Sequence, residues 1–114
     1  MKLSKKIIEI LEDNNIIIIC TEKQDTRYYT EMEFFSDAGE DFVFDIWHDR
    51  TKKSFIDAFR EYAIDFDPDE HAEMWVNARN TVSGVPQSIR TLIDDADSID
   101  SFLNDVSEQL YKVA

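Results

Sequence analysis

The sequence predicts a single α+β domain over residues 1–114, with a three-stranded antiparallel sheet between an N-terminal helix and C-terminal helices, in the order αβββααα. Between positions 28 and 47 apolar residues alternate with polar ones, which is the period of strands. On both sides of that region apolar residues recur at three- and four-residue steps, the period of helices. A length of 114 residues with 43% hydrophobic content is sufficient for one core.

The N-terminal segment predicts one helix and one strand. Ser4 suits the N-cap of an amphipathic helix, and the Asp-Asn-Asn sequence at residues 13–15 suits its end. Residues 16–20 are apolar and mostly β-branched, which predicts a short, buried central strand. The polar residues 21–27 are then expected to form a loop.

The next segment predicts an antiparallel hairpin. Residues 28–35 and 42–47 alternate with period 2, so each is predicted to be a strand. Between them, residues 36–40 include Gly39, at a point where a turn needs positive φ.

The alternation divides the hairpin between two faces of the sheet. One face carries Tyr29, Phe35 and Trp47 beside the carboxylates of Glu31, Glu33 and Asp45. The opposite face carries the larger apolar set, Tyr28, Met32, Phe34, Phe42, Phe44 and Ile46. If the helices leave the first face open, its aromatic residues form a binding surface. Coverage of that face by the C-terminal helices is the alternative.

Two helices are predicted between residues 51 and 79. The apolar residues of the first follow three- and four-residue steps, at Phe55, Ala58, Phe59, Tyr62 and Phe66. The second is predicted to begin at Asp67 as N-cap, with Pro68 in the first helical position and Glu70 in the capping-box position.

The C-terminal third predicts a loop followed by an apolar seam. The loop covers residues 81–85. The spacing of the seam predicts either one long helix or two helices broken near residues 97–98. The seam residues are Leu92, Ala96, Ile99, Leu103, Val106, Leu110 and Val113.

The charge balance restricts the class of partner. The chain has 25 Asp and Glu against 12 Lys and Arg, a formal net charge of -13, which favours cationic surfaces and disfavours direct contact with nucleic acid. No apolar run reaches the roughly 20 residues that span a bilayer. No signal peptide is recognised, so the cytoplasm is the expected compartment. The single cysteine, Cys20, excludes an internal disulfide and is predicted to be a buried thiol.

No catalytic, cofactor or metal site is predicted. The two histidines stand outside any catalytic spacing. Asp67 and His71 lie four residues apart, as a shared metal would require, but an N-cap Asp near a surface His is the favoured interpretation. Gly39 and Gly84 stand alone and do not form a phosphate-binding loop. A non-enzymatic role without cofactor is therefore expected.

Carboxylates recur at helical spacing in the first helix after the sheet. Asp57, Glu61 and Asp65 follow one another at four-residue steps, so successive charges lie about 6 Å apart on one solvent face, similar to phosphates along a DNA strand. Lys and Arg side chains that neutralise phosphates would accept such carboxylates instead. A merely solvated helix face is the alternative. Other acidic segments favour the functional interpretation; they contain Asp37, Glu40 and Asp41, then Asp67, Asp69 and Glu70, then Asp94, Asp95, Asp97 and Asp100.

Over roughly residues 3–75 the chain resembles the small acidic type II-A anti-CRISPR proteins. The resemblance is carried by the order of elements, the apolar strand at 16–20, the hairpin with an Asp- and Gly-bearing turn, the Ser-Phe-Ile-Asp-Ala-Phe sequence at 54–59 and the acidic segment 65–70. Proteins of that family block an RNA-guided nuclease by occupying its PAM-reading site. Residues 85–114 have no counterpart there, and the turn has Ala38 before Gly39.

The resemblance implies which acidic residues contact the PAM-reading arginines. In the family these lie in the hairpin turn, in the segment after the first helix that follows the sheet, and before the first strand. By position they are Asp37, Glu40, Asp67, Asp69, Glu70 and Asp13. The predicted partner-binding set is completed by Asp41 and by the helical stripe of Asp57, Glu61 and Asp65.

The expected function is that of a non-catalytic acidic binding protein, a DNA-mimic inhibitor of a nucleic-acid-binding defence enzyme of phage or mobile-element type. Its expected partner is a basic protein surface, on an RNA-guided CRISPR nuclease or another DNA-binding enzyme. The alternative is a protein-interaction or assembly module that forms a homodimer through the C-terminal seam.

Overall fold

The computed structural model describes residues 3–49, 51–78, 81–82, 85–86 and 88–113. Its elements are α1 (Lys5–Asp13), β1 (Ile17–Gln24), β2 (Arg27–Phe35), β3 (Asp41–His48), α2 (Lys52–Asp65), α3 (Pro68–Ala78), β4 (Thr81–Val82), β5 (Val85–Pro86) and α4 (Ile89–Tyr111). β1, β2 and β3 form an antiparallel sheet with β2 in the centre. The predicted α+β class and the order αβββααα are confirmed.

The helix starts follow from local capping chemistry. Three helices begin after a side chain that accepts the backbone N–H three residues further on, namely Ser4, Thr51 and Ser88. At the start of α3, Asp67 Oδ1 accepts the N–H groups of Asp69 and Glu70 at 3.0 and 3.2 Å. The predicted N-caps at Ser4 and Asp67 are therefore confirmed, and each such cap contributes about 1 kcal/mol.

The prediction for the first strand is wrong in position and extent. β1 is an edge strand, because β2 lies between β1 and β3 and pairs with both. It continues to Gln24, so the predicted loop over residues 21–27 is reduced to a tight turn in which Asp25 has a φ of 57°. An irregularity between Ile18 and Cys20 shifts the register, and the predicted buried thiol is only half-buried.

The hairpin of β2 and β3 is confirmed, with the predicted turn. Phe34 pairs with Phe42 and Met32 with Phe44 across the two strands. Gly39 has a φ of 89°, a conformation that glycine adopts without steric cost.

The helices pack on one face of the sheet. His48 at the end of β3 contacts Phe55 near the start of α2, with ring centroids 5.3 Å apart. Phe42 at the start of β3 contacts Phe66, directly after α2, at 5.8 Å. α2 therefore runs antiparallel to β3. The predicted apolar face forms the core against the helices, and the face with Tyr29 is left open.

From Leu92 to Leu110 the C-terminal seam belongs to one uninterrupted helix, α4, without a break at residues 97–98, whereas Val113 lies beyond the end of α4. Its residues Leu92, Ala96, Ile99, Leu103, Val106 and Leu110 are all buried within the chain. Before it, β4 and β5 pair in a short antiparallel ladder where a loop was predicted, since strands of two residues are too short for an alternating pattern. Among the described helices, none combines the length and apolar character needed to cross a membrane.

A buried carboxylate attaches the hairpin turn to α4. Asp95 is only 4% exposed, and it accepts the Ser36 hydroxyl at 2.7 Å and the Ala38 N–H at 2.9 Å. The turn and the N-terminal half of α4 are therefore held together by one side chain.

Replacing Asp95 with Ala should lower the free energy of unfolding by about 2–3 kcal/mol, because two donors lose a charged acceptor. Urea denaturation measures this loss. The matched control is Asp94→Ala at the adjacent exposed position, which should change the free energy by less than about 0.5 kcal/mol. Equal effects of the two substitutions would contradict the anchoring role of Asp95.

The burial of His48 makes the free energy of unfolding depend on pH. Its Nδ1 lies 2.6 Å from the Asp49 carbonyl oxygen, which can only accept, so Nδ1 carries the proton and Nε2 accepts from the Thr30 hydroxyl at 2.9 Å. Burial lowers the pKa of His48 below its ordinary 6.5, although hydrogen bonding to Asp49 opposes this.

The imidazole of His48 takes up its second proton more readily in the unfolded chain than in the folded protein. The contribution of His48 to stability is therefore complete above its pKa in the unfolded chain, and it is lost as the pH falls through the lower pKa in the folded protein. We expect the unfolding free energy to decrease between about pH 7 and pH 5. His48→Gln should show a smaller decrease over the same interval. Parallel curves for the two proteins would show that another group causes the dependence.

Candidate functional site

The hairpin turn and the start of α3 meet around a second buried carboxylate. Glu40 is 4% exposed, and His71 Nε2 lies 2.7 Å from its Oε1 and 3.0 Å from its Oε2. Trp75 Nε1 donates to the same carboxylate. Phe42, two residues after Glu40, packs against the ring of His71 at 5.4 Å. These contacts fix α3 against the turn.

Exposed carboxylates surround this junction. Since Asp95 binds the turn from α4 and Glu40 binds α3, acidic residues of four segments lie at the hairpin end of the sheet. We call this surface the acidic end; its exposed members are Asp37 and Asp41 beside the turn, Asp65 at the end of α2, Asp67, Asp69 and Glu70 at the start of α3, and Asp94 and Asp97 of α4.

A groove of about 650 Å³ extends the acidic end towards α1. Its walls include Asn14, which directly follows Asp13, together with Phe35, Asp37, Asp97 and Asp105. Aromatic rings from the sheet and α4 contribute to the lining. The groove therefore combines carboxylates with apolar surface, a combination that suits the aliphatic stem and charged head of Lys or Arg.

The acidic residues have few cations to neutralise them. Nineteen of the 25 lie in the segments 28–49, 61–78 and 91–111, which contain no Lys or Arg. Among the described residues, no Lys or Arg lies within ion-pair distance of an acidic side chain, and the one such contact joins Glu40 to His71, which is charged only when protonated. Four of the cations, Lys23, Arg27, Lys52 and Lys53, lie at the other end of the sheet, around the turn between β1 and β2 and the start of α2, whereas Arg90 lies on α4 four residues before Asp94.

The structure separates the predicted partner-binding residues into three groups. Asp37, Asp41, Asp65, Asp67, Asp69 and Glu70 meet at the acidic end, and Asp13 lies next to the groove. Glu40 is committed to His71 and Trp75, so we leave it out of the candidate surface. The third group is the rest of the helical stripe, Asp57 and Glu61.

The stripe on α2 does not act as one surface. Asp57 accepts the Tyr111 hydroxyl, and this hydrogen bond raises the pKa of Tyr111. Asp57 and Glu61 also line a groove of about 510 Å³ that contains Arg27 and Lys53, at the end of the sheet opposite the hairpin turn. Only Asp65 of the stripe reaches the acidic end, because α2 runs along β3 from one end of the sheet to the other.

Sequence reasoning did not assign Asp94, Asp97 and Asp105 of α4 to the site, although the first two lie in a segment recognised as acidic. Their position depends on the contact between Asp95 and the hairpin turn, 57 and 59 residues apart along the chain. No local pattern reports such a contact.

Asp67 and His71, whose spacing would also suit a shared metal, have separate partners in the structure. Asp67 caps α3 and His71 is bound to Glu40. Among the residues described, no group of three or more His, Cys, Asp or Glu is arranged to hold a metal ion.

Comparisons of the chain with protein-family models, with curated proteins and with solved structures found no match.

Replacing Glu40 with Ala should lower the unfolding free energy by about 3 kcal/mol, because His71 and Trp75 would lose their buried acceptor. The near-UV circular dichroism of Trp75 should weaken as α3 loosens from the turn. Asp41→Ala, which removes the adjacent exposed carboxylate, should leave both readings nearly unchanged. If Glu40→Ala were as stable as Asp41→Ala, the junction would not depend on this carboxylate.

Proposed function

We propose that the protein is a non-catalytic inhibitor that presents the carboxylates of the acidic end to cations with which a DNA-binding defence enzyme holds nucleic acid. Its proposed partner is an RNA-guided nuclease, and its proposed target there is the PAM-reading site. The protein would act stoichiometrically, by occupying the surface that DNA requires.

One observation carries this proposal, namely the convergence of exposed carboxylates from four segments on one end of the fold, with no Lys or Arg paired to them in the part of the chain that the structure describes. Exposed acids spread over all sides would serve solubility equally well. Concentrating them raises their mutual repulsion, and a cationic partner surface would relieve that repulsion on binding.

Binding would follow the physics of phosphate recognition. Arg and Lys side chains that contact phosphates release counterions from DNA, and carboxylates arranged at similar spacing accept the same donors. Association should then be fast and should weaken steeply with salt. An arginine that reads a guanine base donates two parallel hydrogen bonds to the base edge. A carboxylate accepts the same two hydrogen bonds, so it can occupy such an arginine in place of the base.

The geometry also supports most of the residues that the family resemblance implies, although Glu40 is buried and Asp13 lies beside the groove. In that family the hairpin turn and the segment after the first post-sheet helix act together. Here the turn and the start of α3 are neighbours, because Glu40 joins them through His71. Asp37, Asp69 and Glu70 are therefore available to one partner surface.

The alternative function was an assembly module that forms a homodimer through the C-terminal seam, and that seam is not exposed. The seam that was expected to form a homodimer is buried inside the chain, with Leu103 fully enclosed. Dimerisation through it would require α4 to leave the core, so we do not propose this function.

The test replaces Asp67, Asp69 and Glu70 with Asn, Asn and Gln. These substitutions remove three charges, and Asn at position 67 still caps α3. Each exposed pair contributes up to about 1 kcal/mol, so binding to a guide-loaded RNA-guided nuclease should weaken about tenfold to a hundredfold. Inhibition of cleavage of PAM-bearing DNA should weaken in parallel.

The matched control removes the same charge elsewhere, with Glu9→Gln, Glu12→Gln and Asp25→Asn at exposed positions. It should retain nearly all of the affinity. The logarithm of the affinity of the unmodified protein should fall linearly with the logarithm of salt concentration, with a smaller slope for the triple variant. Absence of binding to such nucleases, or equal losses in both triple variants, would refute the proposal.

A further inference from the structure

The sheet face opposite the helices, which we call the open face, carries exposed apolar residues. Cross-strand partners lie on the same face, so the register assigns Ile17, Val43 and Trp47 to it. Their exposures are 50%, 49% and 38%, and Phe35 on the same face reaches 63%. A cluster of exposed apolar residues on one sheet face indicates an interaction surface.

The open face also carries carboxylates that repel one another. Glu31 pairs directly with Asp45 across β2 and β3, and like charges in that position are destabilising. A hydrogen bond to Asp41 raises the pKa of Glu33, as two neighbouring carboxyl groups require. Arg27 is the only Lys or Arg that the register of the described strands assigns to this face.

Arg27 indicates which chemistry the open face accepts. Its guanidinium carbon lies 5.5 Å from the centroid of the Trp47 ring, a cation–π contact. Trp47 in turn packs on Tyr29, with ring centroids 5.0 Å apart. The Tyr29 hydroxyl donates to Glu22 at 2.7 Å, which raises the pKa of Tyr29 to about 12 and fixes the ring. The chain's own arginine therefore already contacts one ring of an aromatic pair whose other ring is bound by a carboxylate.

We propose that the open face docks an arginine-bearing segment of a partner protein, with guanidinium groups on the rings of Trp47 and Tyr29 and between Glu31 and Asp45. A planar guanidinium suits both the rings and the carboxylates of the open face, since it stacks on aromatic rings and donates two hydrogen bonds to a carboxylate. This site goes beyond the proposed function; it shares Asp41 with the acidic end and Phe35 with the groove beside that end.

Charge complementarity favours a cationic segment over the other occupants that such a face could take. A second copy of the chain would bring the carboxylates of two open faces together, and like charges across an interface cost several kcal/mol. A purely apolar partner would bury Glu31 and Asp45 without donors. A cationic segment relieves the existing repulsion and covers the exposed apolar surface at the same time.

The test titrates hexa-arginine and hexa-lysine peptides into isotope-labelled protein at physiological salt, and records amide chemical shifts. With hexa-arginine, shifts should occur at Glu31, Asp45, Trp47 and their cross-strand partners, in addition to any at the acidic end. Glu31→Gln with Asp45→Asn should weaken hexa-arginine binding about fivefold or more. The matched control, Glu9→Gln with Glu12→Gln on α1, should weaken it less than about twofold, since charges away from the site are screened.

Trp47→Leu keeps an apolar side chain but removes the ring, so it should weaken hexa-arginine binding about two- to fivefold and reduce the preference for arginine over lysine. Shifts confined to the hairpin turn and α3, or equal losses in the two charge-matched pairs, would overturn the proposal. Open-face signals that move on dilution of the free protein would identify a second copy as the occupant and overturn it as well. Because no nuclease is used, failure of the proposed function would not affect these results.

Discussion

Two buried carboxylates at the hairpin turn determine the arrangement of the molecule. A carboxylate is stable in the interior only when its charge has donors, and Glu40 and Asp95 obtain theirs from different parts of the chain. Glu40 is bound by α3, whereas Asp95, on α4, is bound by the turn itself. The turn, α3 and α4 must therefore meet at one place. The exposed acidic residues beside them in sequence are brought together as a consequence.

The direction of α2 adds to this segregation of charge. α2 begins at the end of the sheet where Lys23 and Arg27 lie, and it ends with Asp65 beside the hairpin turn. The negative end of its macrodipole thus faces the acidic end and makes the local potential more negative. The N-terminus of α3 acts in the opposite sense, because its positive end attracts the carboxylates of Asp67, Asp69 and Glu70. Within the described residues, most of the repulsion is still uncompensated by Lys or Arg.

Sequence reasoning recovers what is locally encoded. The hairpin, the N-caps at Ser4 and Asp67 and the helical spacing of α2 could be predicted, because each depends on residues within a few positions of one another. The rank of a strand within the sheet is not local, which explains why the apolar β1 was mistaken for a central strand. For the same reason the segments of the acidic end could be recognised singly, but their convergence could not.

The neighbours Glu40 and Asp41, and likewise Asp94 and Asp95, show why counting acidic residues does not define a binding surface. Within each pair one carboxylate stabilises the junction from inside and the other faces solvent. The spacing between exposed carboxylates is therefore set by the fold, not by the repeat of one helix. A disordered acidic tail would carry similar charge, but it would lose conformational entropy when ordered on a partner. A folded scaffold that holds carboxylates apart in fixed positions avoids that cost, which is the physical advantage of building an acidic surface on a sheet and three helices.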